Sequence, residues 1–258
     1  MKAKLLGVLA AMTALAVGST AFAQLAYDDA SDAAYSGGFS DSSNGGYGFS
    51  AWTINANQGT GFAGSFVGDP SSIGISGMSS SSFGLYANPD GSGASVDAIR
   101  SFSSALSVGQ TFSFQWGVNW DSNGAGNKGF SLYSGGAGGT ELVNINMGGS
   151  AAITINGNSM FANYGTAAMT LNFEITDPNT LRVYGIGRDG SESFDDTVDI
   201  TGSSVDTFKF YAEGLSNDNG DNRQPYFNNL QVVPEPSTIV LGLVGVVGLI
   251  AARRRMAK

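Results

Sequence analysis

The stretch Gln110–Trp120 reads QTFSFQWGVNW, and it decides the fold class of the chain. Apolar side chains fall on every second residue from Phe112 to Trp120, and small or polar residues fall between them. Because successive side chains of a β-strand point to opposite faces, this alternation predicts a half-buried strand. The stretch Ala168–Thr176 repeats the pattern, with apolar residues at its odd-numbered positions from Met169 to Ile175.

Shorter alternating runs continue this pattern in both directions along the chain. They predict further strands at Phe83–Ala87, Phe130–Tyr133, Leu142–Met147, Ala152–Ile155, Thr180–Tyr184, Phe208–Ala212 and Leu230–Val233. Turn-forming sequences such as Asn88-Pro89-Asp90-Gly91 separate them, and no segment within 24–232 keeps helical periodicity for about ten residues. About ten or more strands at this spacing predict an all-β, two-sheet sandwich with jelly-roll connections.

The charge of the chain excludes one class of partner. Its net charge is −9, but the segment 24–252 keeps only six cations against 21 carboxylates, a net charge of −15. Phosphate backbones repel such a surface, so no nucleic-acid partner is expected. Charged residues make up only 13% of the chain, so Gly, Ser, Asn and Thr must form much of its surface.

The chain contains no cysteine and no histidine. Their absence from the sequence excludes zinc fingers, haem ligation by histidine, Cys–His nucleophiles and Ser–His–Asp triads.

The first 23 residues have the three parts of a secretory signal. Two lysines precede the apolar run Leu5–Val17, and small residues follow at Ala21 and Ala23. These are the −3 and −1 positions that signal peptidase requires, so cleavage is expected before Gln24. The alternative is a membrane-anchoring helix, for which the thirteen-residue run is short.

The C-terminal end, residues 233–258, reads VPEPSTIVLGLVGVVGLIAARRRMAK. Its uncharged segment Ile239–Ala252 would form about 21 Å of helix, short of a hydrocarbon core of about 30 Å. Because the segment has no charge along its whole length, the sequence still predicts a single transmembrane helix, although a short one. By the positive-inside rule the arginines that follow stay cytoplasmic and the preceding domain faces the periplasm; they are Arg253, Arg254 and Arg255.

Pro234-Glu235-Pro236, the apolar segment and the arginine cluster together resemble the PEP-CTERM sorting signal. This signal occurs in Gram-negative bacteria that produce exopolysaccharide, and it is also labelled an ice-binding-protein C-terminal domain. The resemblance implies recognition by a membrane-embedded exosortase and transfer of the protein to the cell exterior. The alternative is a plain membrane anchor in which Pro-Glu-Pro is an ordinary linker.

The sequence between these two ends divides into two parts. Residues 24–50 are rich in Gly, Ser and Asp and are interpreted as a loosely ordered, sparsely buried lead-in with one edge strand. Residues 51–232 form the predicted sandwich. Within them, three blocks resemble concanavalin-like or laminin-G-like domains, which implies a jelly roll: Phe83–Ala87, Val108–Phe112 and Phe227–Leu230.

Carboxylate catalysis has weak support in the sequence. The chain has five glutamates, and none belongs to the Glu-x-Asp-x-x-Glu pattern of laminarinase-like sandwiches. Glu174 and Asp177 come nearest to such a pair, but their spacing puts them on opposite faces of a strand. The sequence therefore predicts no catalytic residues and no enzyme.

Two kinds of ligand contact are candidates. The loop Asn217–Asn222 offers hard oxygen ligands, chiefly Asp218 and Asp221, that suit calcium, although a solvated polar loop is the alternative; no other cofactor is expected. Exposed aromatics could stack on sugar rings, although core packing is the alternative for each and is the prediction for Trp116. The candidate glycan contacts are Trp52, Trp120 and Tyr133, with Tyr47 also considered.

The sequence thus favours an exported structural or adhesive protein of the cell surface or extracellular matrix. The precursor is expected in the inner membrane, and its expected partners are the membrane, an exosortase and exopolysaccharide. One alternative is a carbohydrate-binding module acting alone, and a second is a secreted glycoside hydrolase.

Overall fold

Two antiparallel sheets pack face to face in this protein. The computed structural model describes residues 24–119, 126–148, 152–163, 165–215 and 224–234. Sheet 1 contains, in spatial order, β13 (Ser193–Asp199), β12 (Thr180–Ile186), β11 (Met169–Asp177), β6 (Gln110–Gly117), β15 (Tyr226–Pro234), β4 (Ser82–Asn88) and β3 (Phe62–Gly68), with β1 (Ala26–Asp28) beside β15. Sheet 2 contains β10 (Asn158–Phe161), β9 (Ile153–Ile155), β8 (Thr140–Gly148), β7 (Asn127–Ser134), β14 (Thr207–Glu213), β5 (Ser95–Ser101) and β2 (Thr53–Asn57).

The predicted all-β, two-sheet sandwich is confirmed, with jelly-roll-type crossings between the sheets. Two short 3-10 helices, Ala33–Tyr35 and Pro70–Ile73, interrupt the strands. Among the described residues, no helix has the length and apolar character needed to cross a membrane. The predicted tail helix at 239–252 and the signal at 1–23 lie outside those residues.

Strand β6 is the centre of sheet 1 and follows the alternation that its sequence predicts. Phe112, Phe114 and Trp116 point between the sheets and are at most 1% exposed, so the core position predicted for Trp116 is confirmed. On the outer face, Thr111 and Ser113 are also buried, because β11 and β15 flank β6 on both sides. The predicted strand reached Trp120, whereas β6 ends at Gly117.

Aromatic rings fill the space between the sheets. Phe114 of sheet 1 lies 4.5 Å from Phe130 of sheet 2, measured between ring centroids. Phe210 and Phe227 stack at 3.8 Å with an interplanar angle of 4°. Each fully buried phenylalanine stabilises the fold by about 1.5–3 kcal/mol relative to an exposed one, so these contacts join the two sheets firmly.

Most residues of 24–50 are exposed or half-buried, but several reach the core between the sheets. Tyr35, Phe39 and Phe49 are all buried in the core between the sheets, and β1 pairs with β15, Ala26 opposite Val232. The segment looks sparse in sequence because its aromatics stand among glycines and serines, yet three of its five aromatics reach the core. The sandwich therefore begins at β1 and not at residue 51.

A buried ion pair fixes this segment to sheet 2. Arg100 of β5 donates to the Asp28 carboxylate, and both side chains are fully buried. Tyr35 donates to the same carboxylate at 2.5 Å, and Trp52 donates to the Tyr35 hydroxyl at 3.1 Å. Burial raises the pKa of Asp28 above its ordinary value, although Tyr35 and Arg100 stabilise the charged form.

Candidate functional site

The aromatic residues predicted to contact glycans are mostly not exposed. Trp52 is 1% exposed and donates its indole N–H to Tyr35 inside the sandwich. A buried ring cannot stack on a sugar, so the assignment of Trp52 as a glycan contact is corrected to a core role. Tyr133 is 6% exposed, and Trp120 lies outside the described residues.

Tyr133 lies on the outer face of sheet 2 among charged neighbours. Its hydroxyl donates to Glu141 at 3.0 Å, and the Lys209 Nζ lies 5.7 Å from its ring centroid. Burial lowers the pKa of Lys209, but the negative charge of Asp97, 3.6 Å from Nζ, and the neighbouring Tyr133 outweigh burial and raise it. Lys209 therefore stays positively charged at neutral pH.

A polar groove of about 290 Å³ continues from Lys209 across the same face. Its side chains bond to one another: the Tyr211 hydroxyl donates to Asn146 at 3.0 Å and accepts from Asn144 at 3.0 Å. Asn146 in turn donates to Asn127 at 3.0 Å. Because most of these hydrogen-bonding groups already have partners, the groove is rigid and offers few free groups to a ligand.

The tyrosines of this face are poor candidates for general bases. Burial raises the pKa of Tyr133 and, more strongly, that of Tyr211 above the ordinary value of a phenol. A tyrosine that abstracts a proton at neutral pH needs a lowered pKa. Both phenols therefore stay protonated and act as hydrogen-bonding groups.

The outer face of sheet 1 carries a different surface, here called the aromatic strip: Phe62 and Phe66 of β3, Tyr86 of β4 and Tyr226 of β15. Phe66 lies 6.3 Å from Tyr86 and 5.3 Å from Tyr226 between ring centroids. Phe62, at one end, is 71% exposed. The strip thus runs from the exposed Phe62 and the half-buried Phe66 on β3 to the buried Tyr226 on β15.

Glycines let the rings of the strip lie close against the sheet. Gly84 stands opposite Phe66, and a Cβ at Gly84 would lie 2.2 Å from the ring. Gly64 stands opposite Tyr86, and a Cβ there would lie 2.6 Å from the hydroxyl. Because no side chain occupies these positions, the rings rest on the backbone of the sheet.

No charged residue occurs in the two strands that form most of the strip, FAGSFVG in β3 and SFGLYAN in β4. Aromatic faces in uncharged surroundings can stack on the apolar faces of sugar rings or pack on another apolar surface. Sequence reasoning missed this site because glycines interrupt the alternation of β3. The detectable signal was Phe62 and Phe66 four residues apart, which places both on one face of a strand.

The predicted calcium ligands Asp218 and Asp221 lie outside the described residues. In the described ranges, no group of three or more His, Cys, Asp or Glu side chains could hold a metal ion. Asp195, which is adjacent to Asp196 in β13, accepts from Arg182 at 2.7 Å. This bond lowers the pKa of Asp195 below its ordinary value, with burial opposing it weakly.

The nearest approach to a catalytic pair is also placed by the structure. Glu174 is 6% exposed and accepts from Arg182 at 3.2 Å. Asp177 lies beyond a bulge at the end of β11 and is exposed. The pair therefore does not share a cleft in which two carboxylates could flank a glycosidic bond.

The terminal signals are only partly within the described residues. Gln24 donates its amide to Gln231 at 2.7 Å, and Pro234 is the last residue of β15. The sandwich thus extends two residues into the predicted sorting signal. The other predicted signal residues lie outside the described ranges: Ala21, Ala23, Glu235, Pro236, Arg253, Arg254 and Arg255.

Comparison with solved structures finds distant likenesses. One is the cellulose induced protein Cip1, with a TM-score of 0.43 and 11% identity over 70% of this chain and 90% of that chain. Another is the Ca²⁺-bound exoplasmic/lumenal domain of VIP36, with a TM-score of 0.43 and 10% identity over 71% of this chain and 83% of that chain. A third is the alginate lyase from Corynebacterium sp., with a TM-score of 0.38 and 13% identity over 55% of this chain and 76% of that chain. These likenesses are too distant to indicate a ligand or an activity.

No curated protein is significantly similar to this chain. The family comparison, by contrast, gives a match at the C-terminal end, where the predicted sorting signal lies. Residues 232–255 match the PEP-CTERM protein-sorting motif, so the chain carries the sorting signal of an exported protein.

Proposed function

We propose that this protein is a structural or adhesive component of the cell surface or extracellular matrix that binds neutral polysaccharide through the aromatic strip. The observation that carries this proposal is the aromatic strip, in which Phe66 and Tyr86 rest on glycines of sheet 1 and Phe62 is exposed. The sorting motif at 232–255 supports export. An exosortase would act on the membrane-held precursor and deliver the domain to the exterior.

The acidic domain around the uncharged strip favours an uncharged ligand. The segment 24–252 has a net charge of −15, which repels anionic chains at long range. Stacking on uncharged rings needs no opposite charge, and an exposed aromatic contact contributes about 0.5–1.5 kcal/mol. A single site of this kind binds weakly, so useful affinity in a matrix would come from many copies along one polysaccharide.

Binding without catalysis fits the arrangement of the ionisable groups. Glu174 is held by Arg182, and the raised pKa values of Tyr133 and Tyr211 keep both phenols protonated. A carbohydrate-binding module acting alone and a secreted glycoside hydrolase are the competing functions. Calcium at Asp218 and Asp221 stays a prediction.

The test uses residues 24–234, which contain the fifteen strands found in the described part of the chain. The purified domain is sedimented with the producer's exopolysaccharide and with neutral and anionic polysaccharides, with and without calcium. We expect binding to neutral chains, and loss of binding in Phe62→Ala and Tyr86→Ala. The matched control is Ile186→Ala, because Ile186 is 55% exposed on the same face of sheet 1 but far from the strip.

Two results would contradict the proposal. Equal binding by the Phe62→Ala and Ile186→Ala variants would remove the strip from the site. Release of new reducing ends, abolished by replacement of a single carboxylate, would show that the protein is a hydrolase.

A further inference from the structure

We propose that the end of the sandwich from which the tail leaves rests on the phospholipid surface of the membrane in the unprocessed precursor. The proposal rests on membrane insertion of the tail, which is part of the proposed function. Its structural basis is a cluster of exposed apolar residues, here called the exit surface: Leu25, Tyr47 and Val108. Pro234, at the end of β15, lies at the same end of the sandwich.

Contacts place these residues around one point. Leu25 donates its backbone N–H to Val232 at 2.8 Å, and the Tyr47 hydroxyl lies 3.5 Å from the Gln24 carbonyl oxygen. Val108 is two residues from Gln110, which is paired with Pro234 in the sheet. The apolar residues therefore surround the position where the tail begins.

The exit surface is unusual in its exposure. Leu25, Tyr47 and Val108 are 45%, 50% and 53% exposed, and they are three of the five large hydrophobic residues exposed in the described part of the chain. Beside them lies a cavity of about 240 Å³, partly lined by Phe102 and Leu106. Exposed apolar residues gathered in one place mark an interaction surface more often than scattered ones do.

The partner is indicated by charge and by residue type. The segments that carry the exit surface read QLA at 24–26, FSSALSVGQ at 102–110 and QVVP at 231–234, and none has a charged residue. Two carboxylates, Asp177 and Asp206, lie beside segment 102–110 at the same end of the sandwich. Tyrosine and small apolar residues suit the interface between lipid headgroups and acyl chains. Because the exit surface itself carries no charge, it meets less repulsion from anionic headgroups than the carboxylates of the rest of the domain do.

The length of the connection brings the membrane within reach. Only residues 235–238 separate the end of β15 from the uncharged segment Ile239–Ala252. Four residues span at most about 14 Å when fully extended. Once the tail is inserted, the exit surface cannot move far from the headgroups, and the aromatic strip on the flank of sheet 1 stays free for its ligand.

The chain contains no cysteine, so single cysteines can report position in the full-length protein. Val108→Cys, and separately Tyr47→Cys, are labelled with an environment-sensitive fluorophore and reconstituted in phosphatidylcholine–phosphatidylglycerol vesicles. Asp90→Cys is the control, because Asp90 is exposed beside Gly214, just beyond β14 at the opposite end of the sandwich. Val244→Cys reports separately on insertion of the tail.

We expect a blue-shifted emission, quenching by a lipid-borne quencher and loss of iodide quenching for the labels at 108 and 47. The label at 90 should stay accessible to iodide. Labels at 108 and 47 that behave like the label at 90, while the label at 244 is in lipid, overturn the proposal. So does a lipid-accessible label at 90, because the whole domain would then adsorb.

A label at 244 that stays in water also overturns the proposal, because the tail would not hold the domain at the membrane. That outcome leaves polysaccharide binding untouched, since binding is measured on residues 24–234 without the tail.

Discussion

The outer faces of the two sheets both carry aromatic rings seated on glycines, yet the rings have different surroundings. On sheet 2, Tyr211 lies over Gly129 and its hydroxyl bonds to Asn144 and Asn146. On sheet 1, Phe66 lies over Gly84 among uncharged residues and leads to an exposed Phe62. The first ring is tied into its own sheet by hydrogen bonds, whereas the second leads to an exposed apolar ring, which we propose contacts polysaccharide.

The largest expected effect is a loss of stability of the whole sandwich, which would disrupt both outer faces together. Asp28→Ala leaves Arg100 buried without its carboxylate, and removal of one partner from a buried ion pair costs about 3–5 kcal/mol. We expect that loss in the free energy of unfolding, measured by urea denaturation. Asp90→Ala, at an exposed residue, is the control, and an equal loss in both variants would contradict the role of the pair.

A substitution on the outer face of sheet 2 should lower the stability of the fold without changing polysaccharide binding. At Gly129 a Cβ would lie 2.1 Å from the Ile145 carbonyl oxygen and 2.5 Å from the Tyr211 hydroxyl. Gly129→Ala should therefore destabilise the fold by about 1–3 kcal/mol and leave polysaccharide binding unchanged at temperatures where the variant is folded. Thermal unfolding and sedimentation with polysaccharide give the two readouts. Impaired binding by the folded variant would assign the ligand to sheet 2.

The hydroxyl of Tyr211 gives a finer test of the same face. Tyr211→Phe keeps the ring but leaves the amides of Asn144 and Asn146 without one partner each, which should cost about 1–2 kcal/mol of unfolding free energy. Tyr86→Phe, the matching change in the aromatic strip, should cost less than about 0.5 kcal/mol. Similar losses in both variants would contradict the distinction between the faces.

Removal of the exposed ring of the strip should weaken polysaccharide binding and leave stability nearly unchanged. Phe62→Ala should change the unfolding free energy by less than about 0.5 kcal/mol, since Phe62 is 71% exposed. Loss of one stacking contact of about 1 kcal/mol weakens the Kd for polysaccharide roughly fivefold. Calorimetric titration with a soluble neutral oligosaccharide measures this change.

The smallest expected effect is a dependence of stability on pH, caused by Asp206 at the end of sheet 2. Asp206 accepts from the N–H groups of Gly135 and Gly136 at 2.6 and 3.0 Å. Partial burial opposes these bonds, but they lower the pKa of Asp206 below 3.8. A lowered folded-state pKa adds stability above the unfolded value, and this stability is lost as the pH falls through the folded value.

Asp206→Asn should therefore be less stable than the natural chain at pH 7, by about 1 kcal/mol or less. The difference should shrink as the pH falls below about 4. Urea denaturation at several pH values measures this, and a constant difference down to pH 2 would contradict it.

The sequence predicted the strands whose two faces differ strongly and missed those whose faces do not. Strands β6 and β11 alternate apolar and polar residues clearly. Strand β3, FAGSFVG, and strand β13, SFDDTVD, were missed, because glycine in one and exposed polar residues in the other hide the period of two. The aromatic strip, which depends on β3, was missed with it.

Contacts between distant residues also escaped prediction. Asp28 and Arg100 are 72 residues apart, and nothing local in either neighbourhood signals that they pair. Trp52 was a candidate glycan contact with core packing as the alternative, and its indole N–H bonds to Tyr35 inside the sandwich. Local patterns predict which face of a strand is buried, whereas partners across sheets depend on topology.

The pairing of β15 with its neighbours also has a mechanical meaning. In the proposed function, a polysaccharide held at the aromatic strip would pull on β3 and β4 while the inserted tail held β15 at Pro234, so the load would run within sheet 1. Between β3 and β4 it crosses seven residue pairs, but between β4 and β15 it crosses two, Tyr226–Gly84 and Phe227–Phe83. Two hydrogen bonds, Leu85–Pro225 and Asn228–Ser81, add to this junction. Under tension this short junction should yield first, and the stacking of Phe227 on Phe210 of sheet 2 would then set how much force the anchored protein withstands.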